Sequence, residues 1–569
     1  MTALLSVRDL SVTYRERDST TQAVRGITFE VGPGEAFGLV GESGSGKSTT
    51  AFAIVRFLAE GGHIEGGSVA FRGLDLTKID DEELREVRAN DIGMVYQEPA
   101  RALNPTMRVG MQLAERLPPR RGGRYVADSP AVLELLERVG FSDPRSIAAR
   151  YPHEMSGGQQ QRIVIGMAVA REPDLLILDE ATTGLDTLVE AEVLDLVDGL
   201  RRDLGTSMLM ISHDLGLIAS RCDRVSIMQD GVIVESGSAT EVLTSPQHAY
   251  TRELVRAAPR LDTLPAGSDL TRVSPKAELV RIDGARKFYG QRPALDNVSL
   301  SIYEQEVLAL IGESGSGKTT LGRAVAGLTD VDGSIEFVGK RIGQRPVQMV
   351  FQSPDATLNP RRRIGRMLAR SIQLLRGTKT VAELAQQVNI DNQLLRRLPR
   401  ELSGGQKQRA AIGRAFAGPS SLVVCDEPVS ALDVSVQARI LALLTALKTD
   451  TDVSYLFISH DLAVVRSIAD RIAVLYRGRL LEVGPVDAIF AGPRHPYTDQ
   501  LLRAARHQTG IVKEKIASEE KIPAGCRLSG RCPFEIDGLC ATTPPPNVTL
   551  SDGHTVLCHL APEELPTEA

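Results

Sequence analysis

The sequence predicts an α/β protein of two tandem domains, each with a mostly parallel sheet core, followed by a small cysteine-rich tail. Three observations lead there. A set of short motifs occurs twice, in the same order, along the 569 residues. Around each motif, short apolar runs alternate with stretches of helical spacing, the pattern of strand–helix–strand units packed on a buried sheet. Four of the six cysteines, Cys526, Cys532, Cys540 and Cys558, fall within the last 44 residues, apart from Cys222 and Cys425 in the body of the chain.

The repeat sets the domain organisation. GESGSGKSTT at 41–50 returns as GESGSGKTT at 312–320, an offset of 271. MVYQ, ending at Gln97, returns as MVFQ, ending at Gln352, an offset of 255. SGGQQQR (156–162) and SGGQKQR (403–409), ILDEATTGLD (177–186) and VCDEPVSALD (424–433), and ISHDL at 211–215 and 458–462 all share an offset of 247. The first copy is therefore 24 residues longer ahead of SGGQ, with 16 of the extra residues before Gln97 and 8 after it. Domains are expected at 1–256 and 278–505, a linker at 257–277 and a tail at 506–569. The linker carries PRLDTLPAGSDLTRVSP, rich in Pro, Gly, Ser and charge, a composition that suits a loose connector.

The elements follow in order. AFGLVG (36–41) is a short apolar run ending in glycine and reads as a buried strand, with TTAFAIVRFLAE behind it as a helix. DLLILDE (174–180) and SMLMISHD (207–214) read as two more buried strands. The second copy repeats the pattern with VLALIG (307–312), TTLGRAVAGL (319–328), SLVVCDE (421–427) and SYLFISHD (454–461).

Composition excludes several classes. Hydrophobic residues at 42% and charged residues at 24% are those of a globular chain, neither disordered nor collagen-like. A formal charge of −6 and a pI near 6.0 argue against a nucleic-acid partner held by phosphate neutralisation. No run approaches the ~20 apolar residues of a membrane span. The start, MTALLSVRDLSVTY, lacks a basic segment followed by a long apolar one, so no signal peptide is expected. Work at a membrane would be done from the aqueous side.

Gly41 to Ser48 and Gly312 to Thr319 both fit G-x-x-x-x-G-K-[ST]. Glycines let backbone N–H groups converge on phosphate oxygens, and the following helix N-terminus adds positive potential. The expected nucleotide-binding residues are Gly41, Ser43, Gly44, Ser45, Gly46, Lys47, Ser48 and Thr49, with Gly312, Ser314, Gly315, Ser316, Gly317, Lys318, Thr319 and Thr320 in the second copy. Lys47 and Lys318 would reach the terminal phosphates, and Ser48 and Thr319 would ligate Mg²⁺. Asp179 and Asp426 each end an apolar strand, where an open α/β sheet binds ligands, and would support the same Mg²⁺. Glu180 and Glu427 are the candidates to polarise the attacking water. Taken alone, either acid could be a solvated strand end. Ser156-Gly157-Gly158-Gln159 and Ser403-Gly404-Gly405-Gln406 open helices with small residues, either as ordinary caps or as a second phosphate site.

Together these motifs closely resemble an ATP-binding-cassette ATPase. The resemblance implies two cassettes, each with a helical subdomain, packed head to tail so that the serine of one completes the ATP site of the other. Ser403 would face the ATP held by Lys47, and Ser156 that held by Lys318. It further implies that His213 and His460 contact the γ-phosphate and that Gln97 and Gln352 join the Mg²⁺ site and link it to a partner. Asp186 and Asp433 would lie in turns that couple the sites, and Tyr14 and Tyr289 would stack on adenine, with Phe288 as an alternative to the latter. The first copy has Ala181 where the second has Pro428, which removes no charge, so both sites are expected to be competent. Cys222 and Cys425 read as small buried hydrophobes.

Three further features are similar to the ATPases of bacterial oligopeptide, dipeptide and nickel importers. ALNP (102–105) and TLNP (357–360) follow the glutamines, HAYTREL (248–254) and HPYTDQL (495–501) close the cassettes, and the cysteine tail comes last. This implies an ATPase at the cytoplasmic face of the inner membrane, working with two membrane-spanning permease subunits and a substrate-binding protein, on peptides before nickel or another small solute. The competing reading is a twin-cassette ATPase acting on ribosomes or nucleic acid. In the tail, the spacing Cys526-x5-Cys532-x7-Cys540-x17-Cys558 leaves a disulfide framework, unligated thiols, zinc and a [4Fe–4S] cluster open. The resemblance favours the [4Fe–4S] cluster on the four cysteines, with zinc as the alternative and His554 or His559 then joining. With few large apolar residues, the tail is expected to need a metal cross-link in place of a core.

Overall fold

The computed structural model describes residues 3–15, 19–118, 126–259, 261, 277–343, 345–430, 432–492, 494–507, 523–551 and 553–567. Most of the expected linker, 260 and 262–276, lies outside the described residues, as do residues 508–522 of the tail. The described residues of Met1–Leu185, Val189–Ala258 and His507–Ile516 form one compact unit, and those of Asp186–Leu188, Pro259–Arg506 and Ala517–Ala569 form the other.

In the first unit a six-stranded sheet runs in the order Val232–Ser238, Arg224–Gln229, Ala36–Val40, Ser207–Ser212, Leu175–Asp179, Ile92–Val95. All its pairings are parallel except the one between the first two strands. Ala36–Val40, Leu175–Asp179 and Ser207–Ser212 are buried at every position, which explains their unbroken apolar sequences. A four-stranded antiparallel sheet built on Leu5–Arg15 packs its alternate apolar residues into the same core. Among the described residues between Gln97 and Leu175 the regular elements are helical, chiefly Val109–Arg116, Pro130–Arg138, Pro144–Ala148 and Gly157–Val169. Pro130–Arg138 shows why such segments are helical: Ser129 caps it, proline opens it, and Val132, Leu135 and Leu136 form its buried stripe.

The second unit repeats this plan with two differences. Its main sheet has eight strands, because the tail hairpin Asn547–Ser551 and His554–Leu557 pairs antiparallel onto Arg479–Pro485. The tail therefore differs from the coreless segment expected: Val556, Cys558, Leu560 and Leu565 make a small apolar cluster of their own. The other difference accounts for 11 of the 16 extra residues of the first copy. There, strand Leu74–Asp75 and helix Asp81–Asn90 lie between Gly62–Phe71 and Ile92–Val95, whereas the second copy passes from strand Asp332–Phe337 to Val347–Val350 with neither element. Among the described residues no helix is long and apolar enough to cross a membrane.

Candidate functional site

Each unit builds its site where a central strand turns into a helix, Ala36–Val40 into Lys47–Ile54 and Val307–Ile311 into Lys318–Val325. Gly46 and Gly317 have φ of 100° and 109°, and a Cβ on either would lie 2.4 or 2.1 Å from a carbonyl oxygen of the neighbouring strand. Only glycine fits there. Gly44 and Gly315 take φ of 79° and 76° in the same loops. The buried Lys47 ammonium donates to the Gly41 and Glu42 carbonyls at 2.8 and 2.9 Å, and Lys318 donates to those of Gly312 and Glu313 at 2.6 and 2.8 Å. Burial pushes the Lys318 pKa down. The Ser45 and Ser316 hydroxyls are buried with no hydrogen-bond partner among the described residues. An orphaned hydroxyl beside a glycine cradle at a helix start fits a phosphate group, whose oxygens accept from such donors.

Ser48 Oγ donates to Asp179 Oδ1 at 2.8 Å, and Thr319 Oγ1 to Asp426 Oδ1 at 3.0 Å. A hydroxyl and one carboxylate fit Mg²⁺, a hard cation that keeps several waters and phosphate oxygens in its shell. Burial raises the pKa of both aspartates, so a cation there would favour their charged form. Glu180 stands at the centre of the first site. Gln97 Nε2 donates to its Oε2 at 2.9 Å, and His213 Nδ1 lies 3.6 Å from its Oε1. The second site is the same, with Gln352 to Glu427 at 2.8 Å and His460 to Glu427 at 3.4 Å. The hydrogen bond to His213 is the main cause of the lowered Glu180 pKa. At Glu427 burial acts upward, but the hydrogen bond and charge of His460 carry the pKa down. Both histidines shift up in return, His213 mainly through its bond to Glu180, and His460 through Glu427 against the effect of burial.

Ser156 and Ser403 cap helices Gly157–Val169 and Gly404–Ala415. Each hydroxyl accepts from the N–H of Gln159 or Gln406 at 3.4 Å, and each glutamine side chain returns a bond to its serine N–H. The serines and the glycines after them, Gly157 and Gly404, are exposed. Tyr289 is 58% exposed, whereas Tyr14 packs part-buried against the core. One contact was not legible in the motifs. The Tyr250 and Tyr497 hydroxyls of HAYTREL and HPYTDQL accept from the N–H of Glu42 and Glu313, the second residues of the phosphate loops, at 3.4 and 2.9 Å. The recurrence of His-x-Tyr at equal spacing was the only signal. Cys222 and Cys425 are buried, and burial pushes the Cys222 thiol up to about 12.

In the tail, Cys526, Cys540 and Cys558 are buried and Cys532 is half-buried. Burial pushes the Cys532 thiol up to about 12. Among the described residues, however, no group of three or more His, Cys, Asp or Glu side chains is placed to hold a metal ion. The structure does not support the expected iron–sulfur site or its zinc alternative. His554 instead meets Glu482, with Nε2 2.7 Å from Oε1, and His559 Nε2 meets the Thr543 carbonyl at 3.0 Å.

Comparison with known proteins places these features in context. The family described as ABC transporter matches residues 24–183 and 295–430. The family described as oligopeptide/dipeptide transporter, C-terminal region, matches residues 234–293 and 481–540. Over 527 residues the chain is 40% identical to the peptidoglycan transport ATP-binding protein YejF of Agrobacterium fabrum, covering 88% of this chain and 96% of that protein. Over 585 residues it is 37% identical to the glutathione import ATP-binding protein GsiA of Pectobacterium atrosepticum, covering 93% and 94%. Among solved structures, the complex of archaeal ribosomal stalk protein aP1 with the recycling factor aABCE1 gives a TM-score of 0.58 at 20% identity over 82% of this chain and 87% of that one, a likeness of fold alone.

Proposed function

Because the chain belongs to the ABC transporter family as a twin-cassette ATPase, we propose that it hydrolyses ATP at the cytoplasmic face of the inner membrane to drive import of small peptides. Two permease subunits and a substrate-binding protein complete the proposed complex. The observation that carries the ATPase chemistry is the doubled constellation of phosphate loop, Ser48–Asp179 or Thr319–Asp426, and Gln–Glu–His. Two supports point to peptides: the match to the oligopeptide/dipeptide transporter C-terminal region, and relatives named for import of glutathione, itself a tripeptide, and transport of peptidoglycan.

In the proposed mechanism the glycine loops, Lys47 and Lys318 hold the phosphates, and Ser48 with Asp179 and Thr319 with Asp426 hold Mg²⁺. Bound there, Mg²⁺ neutralises charge on the phosphate oxygens. Glu180 and Glu427, kept ionised by His213 and His460, accept a hydrogen bond from the attacking water and orient it, while Gln97 and Gln352 fix each carboxylate. The exposed helix starts at Ser156 and Ser403 support a head-to-tail pairing in which each serine closes the other cassette's site. The ALNP and TLNP segments beside the glutamines are the proposed contact with the permeases.

The test is ATPase activity of the chain reconstituted with its permeases. Stimulation by a peptide-loaded binding protein and none by Ni²⁺ is expected. Stimulation by Ni²⁺ alone, or co-sedimentation with ribosomes in place of membrane subunits, overturns the peptide reading. We include in the proposal a tail metal, [4Fe–4S] or zinc, on Cys526, Cys532, Cys540 and Cys558, supported by the gathering of four of the six cysteines in the last 44 residues. Anaerobically purified protein with about four irons and absorbance near ~400 nm supports the cluster. One zinc selects the alternative, and no metal removes both.

A further inference from the structure

The phosphate loop of the second cassette is fastened at its second residue, Glu313, from three directions. The Glu313 carbonyl accepts from the Lys318 ammonium, and its N–H donates to the Tyr497 hydroxyl. Its carboxylate is met from the tail, where Arg531 Nη1 lies 3.5 Å from Oε2. The same guanidinium nitrogen donates to the Tyr476 hydroxyl at 3.1 Å. Tyr476 and Tyr497 are both fully buried and pack ring against ring, with centroids 4.6 Å apart. Arg531, the two tyrosines and Glu313 therefore make one continuous contact from the tail to the phosphate loop.

The tail segment that carries Arg531 is built to hold it in place. Between Cys526 and Cys532 the chain turns twice, with Ser529 N–H on the Cys526 carbonyl at 3.1 Å and Arg531 N–H on the Leu528 carbonyl at 2.9 Å. Glu535 ties the bend, accepting from the Ser529 hydroxyl and from Gly530 N–H. Leu528 is buried beneath it, and Arg527 pairs with Asp296 of strand Arg292–Tyr303. Gln500, on helix Pro496–Ala505, donates to the Arg531 carbonyl at 3.5 Å. After the first cassette the sequence runs instead into the linker, residues 257–277, which contains no cysteine.

Charge gives this contact its consequence. Glu313 places a carboxylate in the loop that holds the phosphates, and a negative charge there opposes an anionic ligand. The Arg531 and Glu313 side chains are 22% and 16% exposed, so water screens the pair only in part. We propose that Arg531 is a positioning residue for the second ATP site. By pairing with Glu313 it cancels that charge and sets the loop to receive phosphate, so the cysteine-rich tail tunes nucleotide affinity in the second cassette. The inference deepens, and rests on, the reading of this loop as an ATP site.

The test uses the full chain carrying Lys47→Ala, in which a fluorescent, non-hydrolysable ATP analogue with Mg²⁺ reports the second loop. Arg531→Ala should weaken that binding about tenfold, and Arg531→Lys, which keeps the charge, should restore most of it. On Glu313→Gln no carboxylate is left to neutralise, so Arg531→Ala should change the affinity less than about twofold. In the companion chain carrying Lys318→Ala, which reports the first loop, Arg531→Ala should leave binding unchanged and so show that the protein is folded. Equal binding with and without Arg531 overturns the proposal. So does a loss that persists on Glu313→Gln, that Arg531→Lys does not relieve, or that appears equally at the first loop, since each assigns the tail a structural role alone. Absence of binding in Lys47→Ala with Arg531 intact overturns the reading of the loop as an ATP site, and this proposal with it.

Discussion

Glu180 and Glu427 both have φ of 47°, a left-handed conformation that costs a residue with a Cβ about 1 kcal/mol. Each N–H bonds a carbonyl of the adjacent strand, Ile211 or Ile458, at 3.0 Å, so the turn is held from its backbone and the carboxylate is aimed at Gln97 and His213, or Gln352 and His460. A left-handed residue held in this way is a candidate functional position, which agrees with the proposal that both glutamates orient the reacting water. Glu180→Gln with Glu427→Gln keeps the size and the turn but removes the negative charge. ATP binding should persist while turnover falls by about 10² or more, measured as phosphate release under saturating ATP. A wild-type rate refutes the assignment. At this scale the motifs were readable because each is contiguous. The bonds from Glu42 to Tyr250 and from Glu313 to Tyr497 were not, since each joins residues about 200 positions apart.

Among the elements, the tail hairpin departs most from expectation. It adds strands to the second sheet and covers a polar cluster whose counterpart in the first unit, Glu235 with His248 and Thr251, leaves the glutamate and the histidine half-buried. Glu482 is 1% exposed and accepts from His495 N–H and the Thr498 hydroxyl while facing His554. His495 Nδ1 accepts from Tyr497 N–H at 3.0 Å, its ring bonds the Leu557 carbonyl of the tail, and burial pushes its pKa down to about 3. An unfolded histidine titrates near ~6.5, so below that pH the unfolded chain takes up a proton that the folded one refuses. The contribution of His495 is therefore complete above about pH 6.5. It declines by up to about 1.4 kcal/mol per pH unit as pH falls toward the folded value. Thermal unfolding of the full chain between pH 7 and pH 5 should show this slope, and His495→Asn should flatten it. An equal slope in both proteins shows that other groups set the pH dependence. Sequence patterning did not disclose the hairpin because its strands are short and its partner strand lies some seventy residues earlier.

At the scale of the whole chain, two copies of one site raise the question of whether they act singly. Lys47→Ala and Lys318→Ala each remove the cation proposed to hold the phosphates in one cassette. With the sites coupled as proposed, either substitution alone should lower turnover well beyond half, by about tenfold or more, because closure of one site depends on the other. Additive loss, half the rate in each single variant, shows that the cassettes work independently.

By itself the sequence determined that there are two copies of an α/β cassette, which residues are the candidates to hold phosphate and metal, and that the first copy carries 16 extra residues ahead of Gln97. These are local matters: glycine at a position with no room for a Cβ, an acid ending an apolar strand, a hydroxyl beside it. Only the tertiary structure decided that 11 of those residues lie in the stretch that forms a helix over the first cassette, and that the tail joins the main sheet. The cause is that strand pairing and helix packing depend on surfaces far apart in the chain. Their energy comes from the apolar area and unpaired backbone that meet on folding, which no single window of sequence contains.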